Sequence, residues 1–240
     1  PDYRINKGTP DNLVGLHLPL GPDFADLLST RLSRNTRQKL VRFRRRYLES
    51  GAYRITEATP ATSEHDIAAL LTNWMATWRG TRSDQALAET AETYARALLG
   101  AEAMGRLYLP VLHQGDRVLG ALGHVVDERQ GRLYFLVAGR DPGADDPAIG
   151  LLLHAHAIEW AIAQGLSLYD FGHGDQPYKQ SFGPDSTRST YLDLRRVDDG
   201  PVLDAVSLPL ALRRLDEHAR GGKTDRVRAG AAQLAGLFGL

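Results

Sequence analysis

The chain has 240 residues, of which 42 % are hydrophobic and 24 % charged, values typical of a globular protein. Lys plus Arg and Asp plus Glu both total 29, so the overall charge favours neither nucleic acid nor an anionic membrane as a partner. Cysteine is absent, which excludes disulfides and thiolate chemistry and predicts a cytoplasmic location. No apolar run approaches the roughly 20 residues of a spanning helix, so no membrane span is expected.

Residues 1–28 combine turn-forming glycines and prolines with a short apolar alternation at Leu16–Leu20, which predicts an extended N-terminal segment. Residues 29–60 predict a helix and a first strand. Ser33 is a suitable N-cap for a run with helical apolar spacing, and Tyr53–Glu57 is β-rich. The polar face of this helix is basic; its cations are Arg31, Arg34, Arg37, Lys39, Arg42, Arg44, Arg45 and Arg46.

Residues 61–195 predict the main domain. One helix begins at Ser63 and a second covers about 84–99, after which three β-rich runs are separated by short turn sequences. These runs are Leu107–His113, Val118–Val126 and Leu133–Val137.

A long apolar helix is predicted from Asp146 to Gln164, because Asp146 suits the N-cap, Pro147 the first turn and Gly165 the end. Leu166–Phe171 then predicts a short buried strand. The connection from the preceding β-rich run through this helix has the length of a parallel βαβ unit.

A polar strand near Thr190–Leu194 and a helical extension over 196–240 complete the predicted elements. Their order predicts an α/β (α+β) fold class, with a mixed, mostly antiparallel sheet flanked by helices. Ligands of such sheets bind beyond the carboxyl ends of the parallel strands. In this sequence the residues beyond those strand ends are Ala138–Asp146 and Gly172–Tyr178.

The densest group of reactive side chains, Tyr169–Lys179, lies at the end of the predicted buried strand and just beyond it. It contains carboxylates, an imidazole, phenols and an ammonium, together with glycines that let the backbone approach a ligand closely. The same residues also suit a surface turn stabilised by Asp and Gly. Both interpretations remain open from spacing alone.

Three segments resemble one family. Tyr169–Gly183, YDFGHGDQPYKQSFG, is similar to a signature of GNAT-superfamily acyltransferases, in the group of cellulose-biosynthesis-type acetyltransferases and Fem-type aminoacyl transferases. Leu32–Arg46, LSRNTRQKLVRFRRR, resembles the basic helix before the catalytic half in that group, and Asp146–Gln164 resembles its apolar helix. The similarity extends over about 29–195 and implies a GNAT-like fold and acyltransferase activity.

The resemblance implies acetyl-CoA or another acyl-CoA as co-substrate, with its pantetheine arm along the strand ending near Val137 and its pyrophosphate over the start of the long helix. Free N–H groups and the helix dipole favour an anion there. The usual superfamily loop, Gln/Arg-x-x-Gly-x-Gly/Ala, is absent, and Asp145 and Asp146 would repel a phosphate. The predicted donor-binding residues are Val137, Ala138, Arg140, Ile149, Gly150, Leu151 and Leu152.

Acyl transfer to an amine needs a deprotonated nitrogen, a polarised thioester carbonyl and a stabilised leaving thiolate. Asp175 or His173 can take the proton, and Tyr178 can protonate the thiolate. Lys179 can stabilise an oxyanion or hold a phosphate, whereas Asp170 suits a loop cap as well as a reacting group. Backbone N–H groups near Val137 and Ala138 can polarise the carbonyl.

Three functions are compatible with these residues. The first is a CoA-dependent N-acyltransferase acting on a small-molecule amine, an amino acid or an amino sugar. The second is a Fem-type transferase with tRNA bound on the Arg31–Arg46 basic helix, whose charges also suit an anionic lipid surface. The third is a non-catalytic GNAT-like subunit of a polysaccharide-synthesis system.

Family members often contain two GNAT-like halves, so an upstream half or a homodimer would complete the acceptor site. No metal site is predicted, because His154 and His156 are two positions apart on a helix and face different directions.

Overall fold

The computed structural model describes residues 3–5, 13–144, 148–174, 176–189 and 194–196. The chain divides into two units, Pro1–Asp11 with Thr190–Leu240 and Asn12–Ser189. In the first unit, β1 (Tyr3–Ile5) pairs antiparallel with β10 (Leu194–Arg196). The second unit holds the other described helices and strands.

The strands of the second unit form one sheet. They are β2 (Leu13–Pro19), β3 (Tyr53–Glu57), β4 (Leu107–Tyr108), β5 (Pro110–Gln114), β6 (Arg117–Asp127), β7 (Arg132–Arg140), β8 (Leu168–His173) and β9 (Asp185–Ser189). The order across the sheet is β3-β5-β6-β7-β8-β2-β9, and β4 also pairs with β6. The pair β7–β8 is parallel and the other pairs are antiparallel.

The helices are α1 (Phe24–Arg31), α2 (Arg34–Arg44), α3 (Ser63–Trp78), α4 (Asp84–Ala103), α5 (Ala148–Ala163) and α6 (Pro177–Gln180). A π-helical turn, Arg45–Glu49, continues α2. Serine caps begin two of the helices, since Ser33 Oγ accepts from the Thr36 N–H at 3.1 Å and Ser83 Oγ accepts from the Ala86 N–H at 3.2 Å. Each cap satisfies a first-turn donor that has no partner inside the helix.

The helices cover both faces of the sheet. Neighbouring residues of one strand point to opposite faces, so Leu112 packs in the core formed with α1, α2 and α5, whereas Val111 packs in the core formed with α3 and α4. The central strand β6 is buried along most of its length and is correspondingly apolar.

The fold class predicted from the sequence is confirmed. The strand Tyr53–Glu57 and the helix starting at Ser63 have their predicted limits, and the three β-rich runs form β4 to β7. The connection from β7 through α5 to β8 is a parallel crossover, as expected.

Several element limits differ from the predictions. The strand β8 begins at Leu168 rather than Leu166, because the Leu166 N–H still donates to Ala161 O and closes the end of α5. The helix α4 continues to Ala103. The extended N-terminal segment supplies β2, which lies between β8 and β9 inside the sheet. Its last residues are helical rather than extended, because Asp23 caps α1, which begins at Phe24.

Other predictions fall on residues that the structure does not describe. The expected caps Asp146 and Pro147 are among them, as is the helical extension beyond Arg196. Of the polar strand predicted near Thr190–Leu194, Leu194 alone is described, at the start of β10.

Candidate active site

The parallel strands β7 and β8 separate towards their carboxyl ends. Their pairing extends as far as Tyr134 and Asp170. Beyond these residues β7 stays beside β6 up to Arg140, while β8 stays beside β2 up to His173. Where two neighbouring strands part, backbone polar groups lose their ladder partners and can meet a ligand.

A β-bulge interrupts β7 next to this divergence. Gly123 of β6 faces Val137, but the following residue, His124, faces Phe135, so Leu136 is the extra residue. A bulge disrupts the hydrogen-bond ladder locally and re-aims the strand. The N–H groups near Val137 predicted to polarise a carbonyl therefore lie at an irregularity of the backbone.

The loop after β8 is shaped by Asp170 and two glycines. Asp170 Oδ1 accepts from the Gly172 N–H at 2.8 Å, and the Gly174 N–H donates to Val14 O at 3.1 Å. Gly172 and Gly174 have φ angles of 69° and 94°, which side chains rarely tolerate. Asp170 therefore has the loop-capping contact that the sequence allowed for it.

Lys179 lies beneath this loop and is 3 % exposed. Its Nζ donates to His173 O at 2.7 Å and to Gly174 O at 3.3 Å. A buried ammonium is costly unless it is hydrogen-bonded, and carbonyl oxygens are suitable acceptors. In this arrangement Lys179 ties the short helix α6 to the end of β8.

Tyr178 lies at the surface beside Lys179 and is 39 % exposed. Its ring stacks on the imidazole of His154, with centroids 5.2 Å apart and planes inclined by 23°. Partial burial raises the pKa of Tyr178 to about 12, so the phenol keeps its proton near neutral pH. His173 is exposed, and Asp175 lies outside the described residues.

A chain of buried polar side chains lies behind Tyr178, and the sequence analysis did not identify it. Tyr169 Oη is 2.8 Å from His124 Nε2 and 2.7 Å from His154 Nδ1. His124 Nδ1 is 3.2 Å from the carbonyl oxygen of Tyr108. The first three side chains are at most 1 % exposed. Burial lowers the pKa of His124 to about 3 and holds that of His154 well below its ordinary value.

The residues of α5 that were predicted to bind the donor differ in burial. Ile149 and Leu152 are 2 % and 1 % exposed and belong to the core, whereas Gly150 and Leu151 are half-buried. Backbone amides, rather than the Ile149 and Leu152 side chains, are therefore the groups that can meet an anion here. Of the predicted residues on β7, Val137 is buried and Ala138 and Arg140 are exposed.

The loop between β7 and α5 is held by Asp141. Its carboxylate accepts from Arg117 Nε at 2.6 Å and from the Gly143 N–H at 2.8 Å. The hydrogen bond from Arg117 lowers the pKa of Asp141, so this carboxylate is already engaged. Asp145 and Asp146, predicted to repel phosphate, lie outside the described residues.

Residues 34–180 match the acetyltransferase (GNAT) domain family. The match covers more than half of the chain and includes the divergent strands, the bulge, α5 and Tyr178. This chain belongs to the acetyltransferase (GNAT) domain family. No curated protein matches it in sequence.

Solved structures share the fold of this GNAT acyltransferase at low sequence identity. A conserved protein of unknown function from Bacteroides thetaiotaomicron has a TM-score of 0.56 and 14 % identity, over 81 % of this chain and 62 % of that one. The C-terminal domain of a putative lysylphosphatidylglycerol synthetase from Agrobacterium fabrum has a TM-score of 0.53 and 12 % identity, over 87 % and 64 %. FemX has a TM-score of 0.54 and 11 % identity, over 77 % and 63 %. The chain thus spans less than two thirds of each of these proteins.

In the described part of this GNAT acyltransferase, no group of three or more His, Cys, Asp or Glu side chains is placed to hold a metal ion. His154 contacts Tyr169, whereas His156 Nε2 lies 4.0 Å from Glu57, so the two imidazoles face different surroundings. Among the residues that the structure describes, no helix is both long enough and apolar enough to cross a bilayer.

The basic helix α2 of the acyltransferase carries an open cavity of about 590 Å³. Its lining follows one helical face and consists of Arg34, Arg37, Gln38, Val41, Arg42 and Arg45. Outside the cavity, two cations of the predicted basic set are paired, Arg31 with Asp185 at 2.8 Å and Arg44 with Glu159 at 3.0 Å. Of the arginines that line the cavity, Arg37 donates to Ser29 O at 2.6 Å and Arg45 lies 3.9 Å from Glu49. Fewer cations of the Arg31–Arg46 segment are therefore available to bind an anion than the sequence alone predicted.

Proposed function

We propose that this acyltransferase moves an acyl group, acetyl in the simplest case, from acyl-CoA to the amine of a small molecule, an amino acid or an amino sugar. The observation that carries the proposal is the divergence of β7 from β8 at a bulged strand, together with the Tyr178 phenol, which stacks on His154, whose ring also contacts Phe135 of β7. The cytoplasmic location predicted from the sequence suits this donor.

For the donor, we assign the pantetheine arm to the edge of β7 beyond the bulge and the pyrophosphate to the first amides of α5. Gly150 and Leu151 are half-buried there, and a helix N-terminus favours an anion. Arg140 is exposed at the end of β7 and supplies a positive charge.

In the reaction, the amine nitrogen attacks the thioester carbon, the new C–N bond forms and the C–S bond breaks. Backbone N–H groups at the β7 bulge stabilise the oxyanion. His173 or Asp175 accepts the amine proton, directly or through water. With a pKa of about 12, Tyr178 stabilises the leaving thiolate as a hydrogen-bond donor, because complete proton transfer to a thiolate of ordinary basicity is uphill.

Asp170 and Lys179 have different roles in this proposal. Each is engaged with the backbone of the loop, Asp170 with the Gly172 N–H and Lys179 with two carbonyl oxygens. We assign both as positioning residues that hold His173 and Tyr178 at the opening.

The test is calorimetric titration with CoA and acetyl-CoA, followed by a free-thiol release assay with a panel of amines. Saturable binding and amine-dependent thiol release are expected. Tyr178→Phe is expected to lower kcat roughly 10²-fold with little change in CoA affinity, within the range for losing a positioned catalytic group. Tyr94→Phe removes a phenol from α4 and is the matched control. No CoA binding would overturn the proposal.

A second candidate is aminoacyl transfer from tRNA, and the α2 cavity favours it. Its arginines follow one helical face with Val41 exposed among them, an arrangement that suits a phosphate backbone. Salt-sensitive binding of a tRNA mixture, lost in Arg34→Ala/Arg42→Ala and kept in Arg96→Ala/Arg129→Ala, would support it. Absence of tRNA binding at low salt would remove it.

A further inference from the structure

His154 lies between the exposed phenol of Tyr178 and the buried polar chain. One face of its imidazole stacks on Tyr178, and its Nδ1 is 2.7 Å from Tyr169 Oη. The side chain is 1 % exposed, so it does not meet solvent. Aromatic rings of Phe171 and Phe182 also surround it, with centroids 5.5 and 6.0 Å away.

The partners decide which atom donates and which accepts in each of the buried hydrogen bonds. The Tyr108 carbonyl can only accept, so His124 Nδ1 carries the proton that it donates there. In the neutral ring His124 Nε2 is then an acceptor, and the Tyr169 hydroxyl donates to it. The Tyr169 oxygen is left to accept from His154 Nδ1–H.

This order gives His154 one tautomer and one ring plane. Both imidazoles stay neutral, because burial lowers the pKa of each, and the nearby charge of Lys179 lowers that of His154 further. A phenylalanine would fill the same volume without a desolvation cost, but it would have no bond to fix its rotation. The hydrogen bond therefore specifies the orientation of the surface that Tyr178 contacts.

We propose that His154 is a positioning residue for Tyr178. The buried Tyr169 and His124 fix the imidazole plane, and the imidazole face sets where the Tyr178 hydroxyl reaches at the opening between β7 and β8. The part of this inference that concerns turnover rests on the proposed function, which assigns Tyr178 to the leaving thiolate. The placement of the Tyr178 ring by His154 does not depend on the proposed function.

Two substitutions test separately how the aromatic face of His154 and its hydrogen bond to Tyr169 affect the position of Tyr178. In His154→Asn, the amide can still donate to Tyr169, but no aromatic face remains under Tyr178. In His154→Phe, the face remains and the donor is lost. His156→Asn is the control. It changes a histidine of the same helix that is not hydrogen-bonded to Tyr169 or His124.

The first readout is NMR of protein with ¹³C-labelled tyrosine, in which Tyr178→Phe assigns the Tyr178 ring signals. Stacking on an imidazole shifts these signals away from free-tyrosine positions. We expect the shift in the wild type and in His156→Asn, its loss in His154→Asn, and a smaller shift in His154→Phe, because the phenyl ring lies under Tyr178 but no hydrogen bond fixes its plane. Wild-type signals in His154→Asn would overturn the role of the ring face, and a wild-type shift in His154→Phe would overturn the role of the hydrogen bond to Tyr169.

The second readout is kinetic. We expect kcat of His154→Asn to fall roughly tenfold or more with an unchanged KM for acyl-CoA, as for a misplaced catalytic group. An unchanged kcat together with a lost NMR shift would overturn the role in turnover. If the wild type transfers no acyl group, the proposed function fails, and the NMR readout still decides whether His154 positions Tyr178.

Discussion

Lys179 Nζ donates to the carbonyl oxygen of His173 at 2.7 Å from a side chain that is 3 % exposed. The ammonium of this signature lysine is therefore directed at the backbone of its own loop. Its neighbour Tyr178 is 39 % exposed and stacks on His154, so two adjacent residues of α6 have different surroundings.

Replacing Lys179 by methionine should lower both stability and turnover. The change keeps most of the volume but leaves the carbonyls of His173 and Gly174 without this donor, at a cost of roughly 1–3 kcal/mol in the free energy of unfolding. Urea unfolding and the thiol-release assay measure the two effects. Lys39→Met changes an exposed lysine of α2 and should alter neither. Wild-type stability in Lys179→Met would show that the contact is not holding the loop.

Two substitutions at Asp170 distinguish a cap from a reacting group. Asparagine retains an oxygen that accepts from the Gly172 N–H, so Asp170→Asn should keep stability and turnover close to the wild type. Asp170→Ala removes the acceptor and should cost about 0.5–2 kcal/mol, as for the loss of other side-chain caps. Thermal unfolding and kcat are the measurements. A stable Asp170→Asn protein without turnover would instead assign Asp170 to the chemistry.

Local sequence rules predicted the elements but not the contacts among distant polar groups. Capping and periodicity identified the helix beginning at Ser63 and the crossover through α5, because those signals lie within the elements themselves. His124, His154 and Tyr169 come from β6, α5 and β8, so their contact depends on packing between elements. A usable signal was nonetheless present, since polar side chains inside apolar segments usually require a buried partner.

The position of β2 in the sheet also could not be predicted from local sequence rules. Its short apolar alternation predicted an extended segment, yet nothing local indicates that it lies between β8 and β9. Strand order depends on long-range pairing, which neither propensity nor turn chemistry specifies.

Gly139 and Gly100 should respond in opposite ways to alanine. A Cβ at Gly139, on β7, would collide with the backbone carbonyl of Leu70 on α3. A backbone atom in a packed helix cannot move aside cheaply, so Gly139→Ala should cost at least about 1–3 kcal/mol. A Cβ at Gly100 in α4 meets open space, so Gly100→Ala should stabilise by about 0.5–1 kcal/mol. Urea unfolding of both variants tests the pair, and a neutral Gly139→Ala would contradict the close approach of α3 to β7.

The buried histidines should make stability depend on pH. Burial lowers the folded-state pKa of His124 to about 3 and that of His154 well below its usual value, while both titrate near 6.5 when unfolded. Between these values the unfolded chain binds more protons, so stability is complete above about pH 6.5 and falls as the pH drops. Two such groups remove roughly 2–3 kcal/mol per pH unit well below pH 6.5, and His113 and His156, whose pKa values are also lowered by burial, add to this slope.

Urea unfolding between pH 7.5 and roughly 4.5 measures this dependence above the range where carboxylates of ordinary pKa dominate. His154→Phe removes one of the titrating groups and should flatten the slope, although its stability at neutral pH is lower because the Tyr169 oxygen loses its donor. A flat profile in the wild type would mean that protons reach His124 and His154 in the folded state without cost, which is incompatible with the neutral, directional bonds through Tyr169.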